Sequence, residues 1–89
     1  MRLKKNIIFK DLGGEIILCH EEGHSIDFTE VATLNSTAAF LIKQSMDKEF
    51  DAQLWAKLLV EKYSIGMDQA LQDASVLIDK LISNGFIDN

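Results

Sequence analysis

The sequence predicts an α+β domain in which a three-stranded antiparallel sheet comes first and three helices follow, in the order βββααα. Three observations predict it. β-rich runs fill the first third of the chain and flank the pair Gly13-Gly14. From Asn35 onward the apolar residues recur at the three- and four-residue spacing of helical faces. Between these regions, Thr33-Leu34-Asn35-Ser36-Thr37-Ala38-Ala39-Phe40-Leu41-Ile42 turns an extended stretch into an apolar helix. Asn35 or Ser36 can accept a hydrogen bond from a free amide of the first turn, as an N-cap must. Ala38 and Ala39 are small enough to let this helix lie close to the preceding sheet.

The strands come in order. Ile7-Ile8-Phe9 leads through Lys10-Asp11-Leu12 to Gly13-Gly14, and Glu15-Ile16-Ile17-Leu18-Cys19-His20 follows. Two such runs around a glycine pair predict a hairpin, because glycine accepts the positive φ of tight hairpin turns. Glu21 to Ser25 reads as a loop, Ile26 to Phe28 adds a few extended residues, and Val31 to Leu34 forms a short third strand.

The first helix is expected over Ser36 to Met46, with Ala38, Leu41, Ile42 and Met46 inward. Phe50 anchors a polar connection, and Asp51 caps a second helix over Ala52 to Tyr63. Leu54, Trp55, Leu58 and Leu59 share one of its sides. After Ser64-Ile65-Gly66, a third helix runs from Met67 to about Asn84, and Gly85 stands where helices end in a left-handed residue. Phe86 and Ile87 can then fold back over its last turn. This helix carries two apolar stripes: Ala70, Ala74, Leu77 and Leu81, and beside it Leu71, Ile78 and Ile82 with Ser75 between. One stripe suffices to pack on a small sheet. The second either packs on another helix or lines a groove left open for a partner. A hairpin beside a three-helix unit is the winged-helix-like arrangement.

The 89 residues suit a single domain, residues 1–89, with one modest core. Hydrophobic content of 47% with 26% charged residues is that of a globular chain and excludes disorder. The longest apolar run, Ala38 to Ile42, is too short to span a membrane, and the apolar stretch after the basic N-terminus is too short for a signal peptide. The single cysteine, Cys19, cannot form an internal disulfide, and a cytoplasmic protein is expected. Arg2, Lys4, Lys5 and Lys10 concentrate positive charge at the start, whereas residues 11–89 hold five Lys against fourteen Asp and Glu, a formal charge of −9. Such a body repels phosphates and fits a basic or neutral partner.

Few residues suggest chemistry. Cys19, His20 and His24 lack a second pair to complete a zinc site, and neighbours on a strand point to opposite faces, so a buried cysteine with two loop or surface histidines is expected. No base and orienting group are evident to make Cys19 a nucleophile. No Lys-Ser/Thr follows Gly13-Gly14 into a helix, so the pair is not a phosphate loop. Asp73, set between apolar residues, either bonds a neighbouring loop or faces solvent. No metal, cofactor or enzymatic activity is expected.

Taken together, Leu34 to Ala39, Leu58 to Ile65, and Asp73 with Leu77-Ile78, Leu81 and Gly85-Phe86-Ile87 resemble the PqqD family, small proteins named for pyrroloquinoline quinone biosynthesis that recognise ribosomally made precursor peptides. Leu34-Asn35-Ser36-Thr37-Ala38-Ala39 matches the family's Leu-Asn-x-Thr-Ala/Gly-Ala junction. Leu58 to Ile65 is similar to its second helix and the turn after it, and Asp73, Leu77-Ile78, Leu81 and Gly85-Phe86-Ile87 resemble its closing pattern. The resemblance runs from Ile7 to Ile87. Two positions depart from it. Glu30-Val31-Ala32-Thr33 stands where many members have an aromatic or basic residue, which bears on the peptide bound. Ile42 replaces a frequent Trp and reads as a core substitution.

The resemblance implies that a leader peptide adds as a strand to the edge of the sheet and lies between the third strand and the third helix. Exposed edges offer unpaired main-chain groups for such addition. Mapped here, the edge is Val31, Ala32, Thr33 and Leu34, with Val31 and Thr33 outward if Leu34 points into the core, and the groove wall is Leu71, Ser75, Ile78 and Ile82. The acidic body favours a leader with Lys or Arg beside its apolar anchors. The implied role is a non-catalytic module, monomer or homodimer, that presents the leader to a modifying enzyme such as a radical SAM protein, a cyclase or a leader protease. Two rival readings are a winged-helix DNA-binding regulator and a general protein–protein adaptor. Asp68, Asp73 and Asp79 against Lys80 on the third helix oppose DNA.

Overall fold

The structure, a computed structural model, describes residues 1–22 and 25–88. Its elements are β1 (Arg2–Leu3), β2 (Ile7–Leu12), β3 (Glu15–Glu22), β4 (Ser25–Leu34), α1 (Ser36–Gln44), α2 (Ala52–Tyr63), α3 (Met67–Ser83) and β5 (Ile87–Asp88). The three-stranded antiparallel sheet β2-β3-β4 precedes the three helices, as the sequence predicts.

The hairpin turns at Gly13 (φ 66°) and Gly14 (φ 93°), with Leu12 opposite Glu15. Positive φ at both central residues is the conformation that suits the twist of flanking strands, and glycine adopts it without strain. The next two strands run further than the composition indicates. Glu21 and Glu22 belong to β3 and Ser25 to β4, so the expected loop shortens; Gly23 and His24 lie outside the described residues. Strand β4 is not regular throughout. Ala32 pairs with Leu18 and Asp27 with His20, so residues 28–31 of β4 face Cys19 alone across a bulge. The regular ladder at the C-terminal end of β4 is Ala32, Thr33 and Leu34.

Caps set the helix starts. Asn35 Oδ1 accepts from the Ala38 N–H at 2.8 Å, and Asp51 Oδ1 from the Leu54 N–H at 2.8 Å. Helix α1 stops at Gln44, two residues before the expected end, because Ser45 leaves helical geometry and its hydroxyl is held by the Trp55 indole. At the end of α3, the Gly85 N–H bonds the Ile82 carbonyl and the Phe86 N–H bonds that of Leu81. This pair of hydrogen bonds, with Gly85 at φ 75°, is a Schellman motif. It throws Phe86 back into the core, where it stacks on His20 with ring centroids 4.3 Å apart and planes at 11°.

The core joins Leu18, Ala32 and Leu34 of the sheet to Ala38, Ala39, Leu41 and Ile42 of α1, Trp55, Ala56 and Leu59 of α2, and Ala70, Ala74, Ile78 and Leu81 of α3. Phe50 is buried and stacks on Trp55. Leu54, expected inward, is 41% exposed, and Ala56 takes the buried position. A small second sheet pairs β1 with β5, Leu3 opposite Ile87, and draws the two ends of the chain together. Strands two residues long leave no periodic signal, so nothing in the sequence predicts this pair. Among the described residues, no helix is long and apolar enough to cross a membrane.

Candidate functional site: a groove beside the edge strand

Strand β4 is an edge of its sheet. Its alternation buries Ala32 and Leu34 and leaves Val31 and Thr33 exposed, the outward pair expected. Val31 falls within the bulge, so the part of the edge with regular geometry centres on Thr33. Beside it lies a groove of about 420 Å³, open to solvent. Thr33, Asn35, Thr37 and Ala38 form one wall; Asp73, Val76, Leu77 and Lys80 of α3 form the other. Leu41 and Leu59 also line it.

This changes which face of α3 meets the groove. Leu71, Ser75, Ile78 and Ile82 are the wall expected from the sequence, and none of them lines it. Ile78 is in the core, 5% exposed; Leu71 is half-buried against that core; Ser75 and Ile82 are exposed elsewhere. Helix geometry gives the reason. At about 100° per residue, Leu71, Ser75 and Ile82 fall on one side of the buried stripe Ala70, Ala74, Ile78 and Leu81. Asp73, Val76, Leu77 and Lys80 fall on the other. The chain packs α3 so that the second flank borders β4.

The flank facing the groove is mixed in chemistry. Val76 is 63% exposed, and Leu77 is half-buried beneath it. Asp73 accepts from Gln69 Nε2 at 2.8 Å on its own helix, and among the described residues it bonds no loop. Lys80 reaches across to the sheet: its Nζ donates to the Thr33 carbonyl at 2.9 Å. In an antiparallel ladder a residue sends its N–H and C=O to the same side. The Thr33 carbonyl, taken by α3, therefore faces away from β3 and into the groove. Asn35 contributes twice, capping α1 and lining the groove, so the cap bond also holds the shape of this wall. Sequence reasoning missed Asp73, Val76 and Lys80 as groove residues; the one available signal was an exposed valine within a charged face.

Cys19 and His20 do not line this groove. Cys19 is fully buried, its Sγ 3.8 Å from the Ile8 carbonyl oxygen, and burial pushes its thiol above the ordinary value while Lys10 pulls the other way. His20 is buried rather than exposed, stacked on Phe86 with Nε2 3.3 Å from the Asn84 carbonyl oxygen.

No family model matches the chain, and no curated protein matches it. Among solved structures it is similar to a lasso peptide synthetase B1 complexed with the leader peptide. The two share 26% identity over 96% of this chain and 93% of that chain, with a TM-score of 0.67.

Proposed function

We propose that this chain is a non-catalytic recognition domain for the leader of a ribosomally made precursor peptide. An extended leader segment adds to the edge of β4 at Thr33 and lies in the groove between β4 and α3, where Val76 and Leu77 receive its apolar side chains. The observation that carries this reading is the groove itself: a sheet edge with an outward main-chain carbonyl, bordered by a mixed helix flank on which Val76 is exposed. Main-chain bonds at such an edge give affinity, and the side-chain wall gives selection. The likeness to a lasso peptide synthetase B1 complexed with a leader peptide, spanning nearly the whole of both chains, supports it. So does the PqqD-like junction at Leu34 to Ala39. The leader would then pass to a modifying enzyme, of which a radical SAM protein, a cyclase and a leader protease are the candidates.

An amide NMR titration of the labelled protein tests the proposal. The ligand is a synthetic leader from whatever short open reading frame lies beside the gene, with a scrambled peptide as control. Saturable shifts are expected at Val31 to Leu34 and along Asp73 to Lys80. Equal binding of the scrambled peptide, or shifts confined to other surfaces, would overturn it and favour a general adaptor.

A further inference from the structure

The groove is lined by one basic residue, and it is already engaged. Lys80 Nζ donates to the Thr33 carbonyl at 2.9 Å, joining positions 47 residues apart. That carbonyl is an acceptor that an added strand would need for its own N–H. Among the described residues, Lys80 has no carboxylate partner. Asp73, the acid on the same flank, lies seven residues away, about 10 Å along the helix axis, and is bonded to Gln69. Asp79 is adjacent in sequence but turned about 100° around the helix. An ammonium displaced from Thr33 would therefore find no acid of its own chain within one helical turn on this flank. It would stand at the open rim of the groove beside Val76 and Leu77, placed to meet a carboxylate that a ligand brings there.

We propose that Lys80 is a specificity-determining residue of the groove, standing in for a ligand N–H in the free protein and pairing with a ligand carboxylate once displaced. This rests on the peptide-binding reading above. The ligand class it defines is an extended peptide with an apolar side chain for Val76 and Leu77, and an Asp or Glu next to the residue that pairs with Thr33. The lysine stem, with four carbons and three donors, allows the ammonium to swing between the two acceptors. A peptide with Lys or Arg at that place is rejected by like charge, which is how unwanted partners are excluded. The charge at Lys80 thus opposes, at this one place in the groove, the preference that the acidic body alone predicts.

The test works without the natural ligand in hand. A random dodecapeptide library on phage is panned against the full chain and against Lys80→Glu and Lys80→Gln, each checked for folding by circular dichroism. Selected peptides are then titrated, and their sites mapped by amide shifts. The parent should enrich Asp or Glu beside apolar residues and bind those peptides about tenfold more tightly than their Gln counterparts. Lys80→Glu should enrich Lys or Arg at the same place, and Lys80→Gln should lose the charge preference while keeping the apolar one. The same consensus from all three proteins, with shifts in the groove, overturns the role of Lys80 and leaves the groove reading standing. Enrichment of no peptide, or shifts outside the groove, overturns both.

Discussion

The indole N–H of Trp55 donates to the Ser45 hydroxyl at 2.7 Å, with both side chains buried. The bond ties the end of α1 to the first turn of α2 across the connection that carries Phe50. Ser45→Ala leaves a buried indole N–H without an acceptor, at an expected cost of about 1–3 kcal/mol. Urea unfolding followed by the fluorescence of Trp55, the one tryptophan, measures it directly. An unchanged midpoint would show that the bond contributes no net stability.

Asn35 is a second local device with a measurable share. Asn35→Ala removes the acceptor for the Ala38 N–H and should cost about 1 kcal/mol, whereas Asn35→Asp keeps the acceptor and most of the stability. Equal losses in the two variants would mean that the cap is not what Asn35 supplies.

Gly85 closes α3 at φ 75°. Gly85→Ala places a Cβ in the left-handed region and should cost about 1–2 kcal/mol. Gly85→Asn should lose less, because asparagine tolerates this conformation. Denaturation midpoints that rank the two variants the other way would remove backbone strain as the explanation.

Binding should depend on one flank of α3 alone. Val76→Asp, at a 63% exposed position in the groove, should leave the fold intact and weaken leader binding about 30-fold, equivalent to about 2 kcal/mol. Ile82→Asp, exposed on the opposite flank, should change it less than about twofold. Calorimetric titration of both variants decides between the flanks, since the reverse result would restore Leu71, Ser75 and Ile82 as the wall. Ile78→Asp cannot serve, because it buries a carboxylate in the core and would unfold the chain.

Cys19 gives a pH dependence of definite sign. Burial raises its thiol above the ordinary 9.0, with Lys10 opposing. The unfolded chain then loses the proton first, so the unfolded state binds fewer protons and stability falls as pH rises past about 9. Urea midpoints taken from neutral pH into this range should decline more steeply for the parent than for Cys19→Ala, although that variant starts lower. Parallel declines would assign the loss to other groups.

Much of the architecture is legible in short stretches. The glycine pair, the Asn35 and Asp51 caps and the Gly85 terminus each act through neighbours within about four residues, so their chemistry is visible in sequence. Apolar spacing likewise marks Trp55, Leu59, Ala70, Ala74 and Leu81 for the core. Where a position depends on distant partners, the reading fails. Leu54 is as apolar as Leu59 but faces solvent, and His20 reads as a surface residue although Phe86 covers it. The bulge opposite Cys19 and the pairing of Leu3 with Ile87 have no local cause to read.

The sequence by itself determined that three strands precede three helices, that the junction at Asn35 divides them, and that β4 carries Val31 and Thr33 outward. Local propensity, capping and two-residue alternation suffice for that. Only the tertiary structure decided which flank of α3 borders β4. Both flanks sit symmetrically beside the same buried stripe, and composition favours the more apolar one, Leu71 to Ile82. Packing turned the other toward the sheet, and so brought Lys80 to Thr33 across 47 residues. Helical periodicity specifies a face to bury; it carries no information about what stands on either side of it.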